Sequence, residues 1–264
     1  MPSTPRHRSG EAARILYSLR ALGADDLPEQ VQVSGMTLRR TAEIKHDFFA
    51  ATGFYESDEG MRAVLKMSRT ADFCGLPLVW LGRWLCQREV RFYRALSDLP
   101  NVPAVLGAVG ETGFVHAYVE GTPLSKDRPI PDDFFDQLTR LIGELHRRNI
   151  AYVDTNKPQN ILHGFDDRPH LIDFQISYDL FDLGNTFVNR WLLRKLQHED
   201  FYHLLKHKKH LRRDLMTEAE LAESERRSLL IRIHRAIATP IRKLRRRTLK
   251  RWRDSGRLMP EGSK

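Results

Sequence analysis

Two short stretches constrain the chain most: Tyr152-Val-Asp-Thr-Asn-Lys-Pro-Gln-Asn-Ile-Leu162 and Leu171-Ile-Asp-Phe-Gln175. Each sets charged or amide side chains directly beside an apolar run of strand type. Asp173, between Leu171-Ile172 and Phe174, is costly to bury bare and needs a cation or hydrogen bonds. Asp154 follows Ile150-Ala-Tyr-Val, and Asn160 precedes Ile-Leu. Asp, Asn and Pro also build ordinary solvated turns, but this turn is pinned between apolar segments. One carboxylate and one amide oxygen suit Mg²⁺, which takes few protein ligands and fills the rest of its shell with phosphate and water. Asn160 and Asp173 are of that type, and Asp154 is left to orient a hydroxyl.

A chain of 264 residues can bury a core as one large or two small lobes. Apolar stretches such as Leu76-Pro-Leu-Val-Trp-Leu81 are far too short to span a bilayer. The basic start, Met-Pro-Ser-Thr-Pro-Arg-His-Arg, leads into no apolar core, so a cytoplasmic protein is expected. Cys74 and Cys86 read as reduced thiols. From Phe181 onward there are 22 Lys/Arg against 10 Asp/Glu, whereas residues 1–180 hold 21 against 24. The basicity therefore sits in the last third and suggests an anionic partner surface.

Periodicity predicts a helix over Glu11–Leu22 ending at Gly23, short strands over Val31–Phe54 with a Thr52-Gly53 turn, and a strand near Met61–Met67. A helix over Val79–Leu96 follows, then strands Val102–Val109 and Phe114–Val119 around a Gly110–Gly113 turn. Pro131–Arg148 is strongly amphipathic, with Phe134, Phe135, Leu138, Leu141, Ile142 and Leu145 on one face. Strands Asn160–His163 and His170–Phe174 flank a turn at Gly164. Strands dominate before residue 131 and helices after it, which predicts an α+β chain with a small β-rich lobe joined to a larger helical one. The expected division is an N-terminal extension over 1–30, lobes over 31–120 and 121–215, and a basic helical extension over 216–264.

Five motifs in order carry a resemblance to the protein-kinase-like superfamily, covering about Thr41 to Asn185. Ala63-Val-Leu-Lys66 resembles the Val-Ala-Ile-Lys strand, and Glu89 resembles the acidic partner of its lysine. His116-Ala-Tyr-Val-Glu-Gly121 resembles the hinge, with His116 as gatekeeper. Lys157-Pro-Gln-Asn160 resembles the catalytic loop, and Ile172-Asp-Phe-Gln175 the Asp-Phe-Gly region. The resemblance implies ATP and Mg²⁺ between two lobes. In it, Lys66 contacts the α/β-phosphates, Glu89 holds Lys66, Ala117 and Val119 meet adenine, Asn160 and Asp173 hold the metal, Asp154 serves as base and Lys157 offsets γ-phosphate charge.

The departures shape the expected acceptor. Asp154 and Asn160 stand six apart rather than five, so an ungapped match would put Thr155 at the base; one extra loop residue keeps Asp154 there. No Gly-x-Gly-x-x-Gly loop is present, and Ala50-Ala-Thr-Gly53 offers one glycine, Gly53, as the cofactor-binding residue of that loop in the resemblance. Gln175 replaces the Gly after Asp-Phe, and no long activation segment or Ala-Pro-Glu follows. A peptide-docking platform is thus missing, which favours a saccharide, lipopolysaccharide-type or other small-molecule hydroxyl. Glu89/Tyr93, Asp-Phe-Gln and the basic tail look most like the compact bacterial lipopolysaccharide (Kdo/heptose) kinases, with RIO-type kinases also compact. Asp179 and Asp182 resemble acidic residues of aminoglycoside-type enzymes, or simply fix a loop. Two alternatives remain: a protein serine/threonine kinase, and a catalytically dead kinase-like adaptor. The tail Ile241–Trp252 reads as a basic amphipathic helix able to lie peripherally on an anionic membrane surface, or to dock on the helical lobe. No aromatic platform or zinc spacing favours nucleic acid.

Overall fold

The computed structural model describes residues 17–73, 75–181 and 184–225. Alternating burial in the first half produces an antiparallel sheet of six strands, ordered β1-β2-β3-β4-β6-β5. These are β1 (Gln30–Val33), β2 (Met36–His46), β3 (Ala50–Ser57), β4 (Arg62–Ser68), β5 (Val105–Val109) and β6 (Gly113–Ala117). One face carries Val31, Leu38, Ala51, Tyr55, Ala63, Leu65 and Val115, buried together with Leu22 and Leu27. The alternate residues of β3 and β4, Thr52, Phe54, Val64 and Lys66, therefore take the opposite face. Ser34 Oγ donates to Leu106 O at 2.7 Å, drawing the two sheet edges together.

Helix α1 (Val79–Ala95) crosses from the sheet toward the second lobe. Its Gly82 is required by close approach, since a Cβ there would lie 1.8 Å from Arg69 O. Helix α2 (Phe134–Arg147) buries the six apolar residues expected on one face. They pack with Phe92, Tyr93, Phe114, Tyr152, Ile161, Leu171, Phe174 and Leu204 in one core. A small sheet of β7 (Gly121–Pro123), β8 (Ile161–Gly164) and β9 (Pro169–Leu171) adjoins it. Helices α3 (Phe187–Leu211) and α4 (Glu218–Glu225) complete the helical part; Lys208 and Glu220 link them at 2.7 Å.

Three local expectations are corrected. Helix ends by Ser18, not Leu22, because residues 20–22 bond elsewhere: Ala21 N–H donates to Asp47 O at 2.7 Å, and Ala21 O accepts from Thr70 and Ala71. Leu22 and Leu27, inside the stretch read as an extension, are core residues. The turn expected at Thr52-Gly53 lies at residues 47–49 instead, after an eleven-residue β2. Gly53 is mid-strand, paired with Glu43 and Leu65, and a Cβ there would meet Leu27 Cδ1 at 2.8 Å. A glycine in a strand marks close approach as readily as a turn, and here it is packing. Residues 1–16, Asp182, Cys74 and the tail helix expected over 241–252 lie outside the described residues.

Candidate active site

Lys66 leaves β4 on the face away from the sheet's outer core and meets two carboxylates. Its Nζ lies 2.8 Å from Glu89 Oε1 and 2.7 Å from Asp173 Oδ1. Glu89 comes from α1 and Asp173 from the segment after β9, so one ammonium ties sheet, helix and second lobe. Burial alone would depress the Lys66 amine, but Glu89 and then Asp173 outweigh it and hold it well above the usual range. Burial pushes the Glu89 carboxyl up, against the pull of Lys66. Burial also pushes on Asp173, yet Lys66 prevails and holds that carboxyl low. A buried ion pair needs such compensation on every side.

The second cluster stands on the loop after α2. Asp154 Oδ2 accepts from Lys157 Nζ at 2.6 Å and from Asn160 Nδ2 at 3.1 Å. Asp154 is 2 % exposed; burial raises its carboxyl, with Lys157 opposing. Thr155, the ungapped alternative, has its hydroxyl committed to Asp200 Oδ1 at 2.7 Å. Asp154 and Asn160 lie in a loop of two 3-10 turns, Asp154–Asn156 and Pro158–Asn160. Ile172 N–H donates to Asn160 O at 3.1 Å, and Tyr152 Oη sits within bonding reach of both Asn160 O and Ile172 O. These bonds register the Asn160 and Asp173 segments side by side.

Two backbone outliers lie here: Val153 at φ 68° and Asp173 at φ 62°. Left-handed conformations in such residues need a surrounding structure that enforces them. Asp173 N–H donates to Tyr93 Oη at 3.0 Å. Val153 is enforced by Asp200 on α3, a residue the sequence reading did not single out. Asp200 accepts from the N–H of Tyr152 and of Val153, both at 2.8 Å, and lies 3.0 Å from His146 Nε2. Nothing local in Gln197-His-Glu-Asp-Phe201 signals this; an Asp in a helix predicts a solvated side chain, and only the tertiary fold buries it. His207 Nε2, 2.8 Å from Thr155 O, supports the same loop.

At the end of β6, Ala117 N–H donates to Ala104 O at 2.8 Å, and its carbonyl faces His116 Nδ1 at 2.8 Å. Since a carbonyl only accepts, Nδ1 carries the proton there. Burial holds His116 down to about 4, and it stacks on Tyr93 with centroids 5.4 Å apart. Ala117 and Val119 line a cavity of about 460 Å³ with Leu99, Val102, Ala104 and His170; none of the charged groups above lines it. The sequence reading also passed over Phe54 and Val64, which share the Lys66 face; Phe54 meets Tyr118 edge-on at 5.2 Å. Strand alternation was the signal for both.

The segment after Asp173 is held to α1. Arg88 donates to the carbonyls of Gln175 and Ser177, and Arg91 pairs with Asp179. Asp179 also accepts from Phe181 N–H at 3.1 Å, a loop-fixing role. Cys86 is a buried free thiol, which burial pushes up to about 11.

No protein-family model matches the chain, and no curated protein matches it in sequence. Among solved structures, the Rio2 kinase-ADP/Mg²⁺-phosphoaspartate complex from Chaetomium thermophilum aligns with a TM-score of 0.52 at 17% identity, over 68% of this chain and 58% of that one. A second Rio2 kinase structure from Chaetomium thermophilum gives 0.49 at 18% identity, over 65% and 58%. The BubR1 kinase domain gives 0.48 at 18%, over 70% and 65%. The chain spans less than two thirds of each of these chains. With a β-rich lobe before a helical one and the first of these alignments, the chain has a protein-kinase-like α+β fold.

Proposed function

We propose that this chain is an ATP-dependent phosphotransferase that moves the γ-phosphoryl group onto a hydroxyl, most readily that of a saccharide or other small molecule. The observation that carries the reading is the convergence of Lys66, Glu89 and Asp173 at 2.7–2.8 Å from residues far apart in sequence. Such a buried triad is expensive as mere structure and well suited to a polyanionic ligand. In this reading Lys66 neutralises the α/β-phosphates and Glu89 fixes its direction. Asn160 and Asp173 offer one amide and one carboxylate oxygen, a donor set that fits Mg²⁺. When bound, the ion supplies charge neutralisation for the phosphates. The Rio2 kinase structure is by its own description an ADP/Mg²⁺ complex, which is consistent with the use of ATP and Mg²⁺ in this reading.

Asp154 then takes the proton of the acceptor's hydroxyl as the acceptor oxygen bonds to the γ-phosphorus and the bond from that phosphorus to the β-phosphate oxygen breaks, releasing ADP; Lys157 stands 2.6 Å from Asp154, placed to offset charge on the moving phosphoryl group. Positioning and electrostatics supply most of the catalysis in such transfers. Only residues 174–186 separate Asp173 from α3, and part of that stretch is tied to α1 by Arg88 and Arg91. This favours a small acceptor over a protein Ser/Thr. The intact Lys66–Glu89 pair speaks against a dead adaptor. No helix among the described residues is long and apolar enough to cross a membrane, and peripheral attachment through residues 240–253 remains part of the proposal, as do a cytoplasmic setting and a lipopolysaccharide-kinase type.

The test incubates the full chain with radiolabelled ATP and separate lipid, saccharide and protein pools. Label should appear in a saccharide or small-molecule product with wild type and fall by about 10²–10⁴ with Asp154→Asn. Label on protein alone would favour the protein-kinase reading, and no label with any pool, together with no Mg·ATP binding, the adaptor.

A further inference from the structure

The turn that would cover nucleotide phosphates in this fold, residues 47–49 between β2 and β3, does not offer the row of free backbone amides of a glycine-rich loop, because Asp47 N–H donates to Ala50 O at 3.0 Å. Asp47 Oδ1 already accepts from Phe49 N–H at 2.8 Å and Ala50 N–H at 3.0 Å. The turn is also fixed. Buried Arg69 donates to Phe48 O at 2.8 Å and stacks 4.0 Å from the Phe48 ring, while its own N–H donates to Phe49 O. Left as it is, this turn would present a carboxylate to a polyphosphate.

Strand register supplies the remedy. Lys45 pairs with Thr52, and Thr52 with Lys66. Residues directly opposite in antiparallel strands share a face, so Lys45, Thr52 and Lys66 form a row across three strands on the side that carries Asp173. His46, the next residue, takes the other side and accepts from Leu22 N–H at 3.1 Å. Phe54 and Val64, toward the hinge, occupy the same face as the row, so the lysines mark its phosphate end. Lys45 Nζ lies 2.6 Å from Asp47 Oδ2, and its side chain is 59 % exposed. An ammonium has three donors, so it can keep Asp47 and still bind another anion.

We propose that Lys45 is a phosphate-binding residue that takes the place of the missing glycine loop, gripping the outer phosphates of a nucleoside triphosphate while it neutralises Asp47. The inference rests on the nucleotide-binding reading above and adds to it a side chain, on a strand that motif matching does not reach.

Calorimetric titration of the full chain with Mg·ATP and with AMP tests it, using wild type, Lys45→Met and Asp47→Asn. Lys45→Met should weaken Mg·ATP by about tenfold or more and leave AMP unchanged. Asp47→Asn keeps an amide oxygen to cap Phe49 and Ala50 but removes the negative charge, so it should tighten Mg·ATP. The pair is too exposed for its loss to unfold the lobe, which a thermal melt of each variant checks. Unchanged Mg·ATP binding by Lys45→Met, equal losses for Mg·ATP and AMP, or weaker binding by Asp47→Asn would each overturn the role of Lys45 while leaving the kinase reading intact. A wild type that binds no Mg·ATP would overturn both.

Discussion

At the residue scale, Asp154 shows how one environment would set the proposed proton acceptor. Burial raises its carboxyl, and the ammonium of Lys157 draws it back. A base works only when deprotonated, so the rate of the proposed transfer should climb with pH through this group. Its acid limb should stand above the ordinary carboxylate value of about 3.9. Lys157→Met removes the opposing cation, and the limb should then move to higher pH in a kcat/KM profile. A limb that stays in place or moves down would separate Lys157 from Asp154 electrostatically, despite their 2.6 Å contact.

At the scale of elements, α3 acts as the foundation of the loop that carries Asp154. Asp200 is 1 % exposed and accepts from two backbone amides and the Thr155 hydroxyl. Those bonds keep Val153 in its left-handed conformation and so aim Asp154. Removing the carboxylate strands several buried donors, each costing about 1–3 kcal/mol. Asp200→Ala should therefore destabilise the protein by about 3 kcal/mol or more in urea unfolding. Faster amide exchange at residues 152–155 should accompany it. A loss under about 1 kcal/mol would mean the loop holds itself. The miss of Asp200 in sequence is instructive: it lies 40 residues beyond Asn160, and helical periodicity records only which face an Asp occupies, not what folds over it.

At the scale of the whole molecule, α1 is joined to both lobes. Glu89 binds Lys66 of the sheet, while Arg88 and Arg91 bind the segment after Asp173. The helix is thereby held inward by the chain's own side chains, with no added charge required. Arg88→Ala removes a clamp that touches no phosphate in the proposed reading. It should lower amide-exchange protection along α1 and weaken Mg·ATP binding several-fold, because Glu89 would no longer be fixed against Lys66. Unaltered exchange along α1 would show that Glu89 and the apolar face of α1 hold it alone.

Local chemistry made several features legible in advance. Asp154, Asn160 and Asp173 were named from residue type and setting, since a polar group beside an apolar run must find a partner and so betrays itself; Lys66, Glu89 and Lys157 were named through the resemblance to kinase-like motifs. The amphipathic α2 and the strand-then-helix order were equally visible, because periodicity is a local property. Gly53 was misplaced for the complementary reason: a glycine has no side chain to report which neighbour needs the space, and Leu27 supplied that answer only in three dimensions. The burial of Asp200, the alignment of Lys45 with Lys66 and the Arg88 clamp depend on register and helix packing between distant segments. Those are settled when the core closes, by which faces can be buried together, and no single stretch of sequence encodes them.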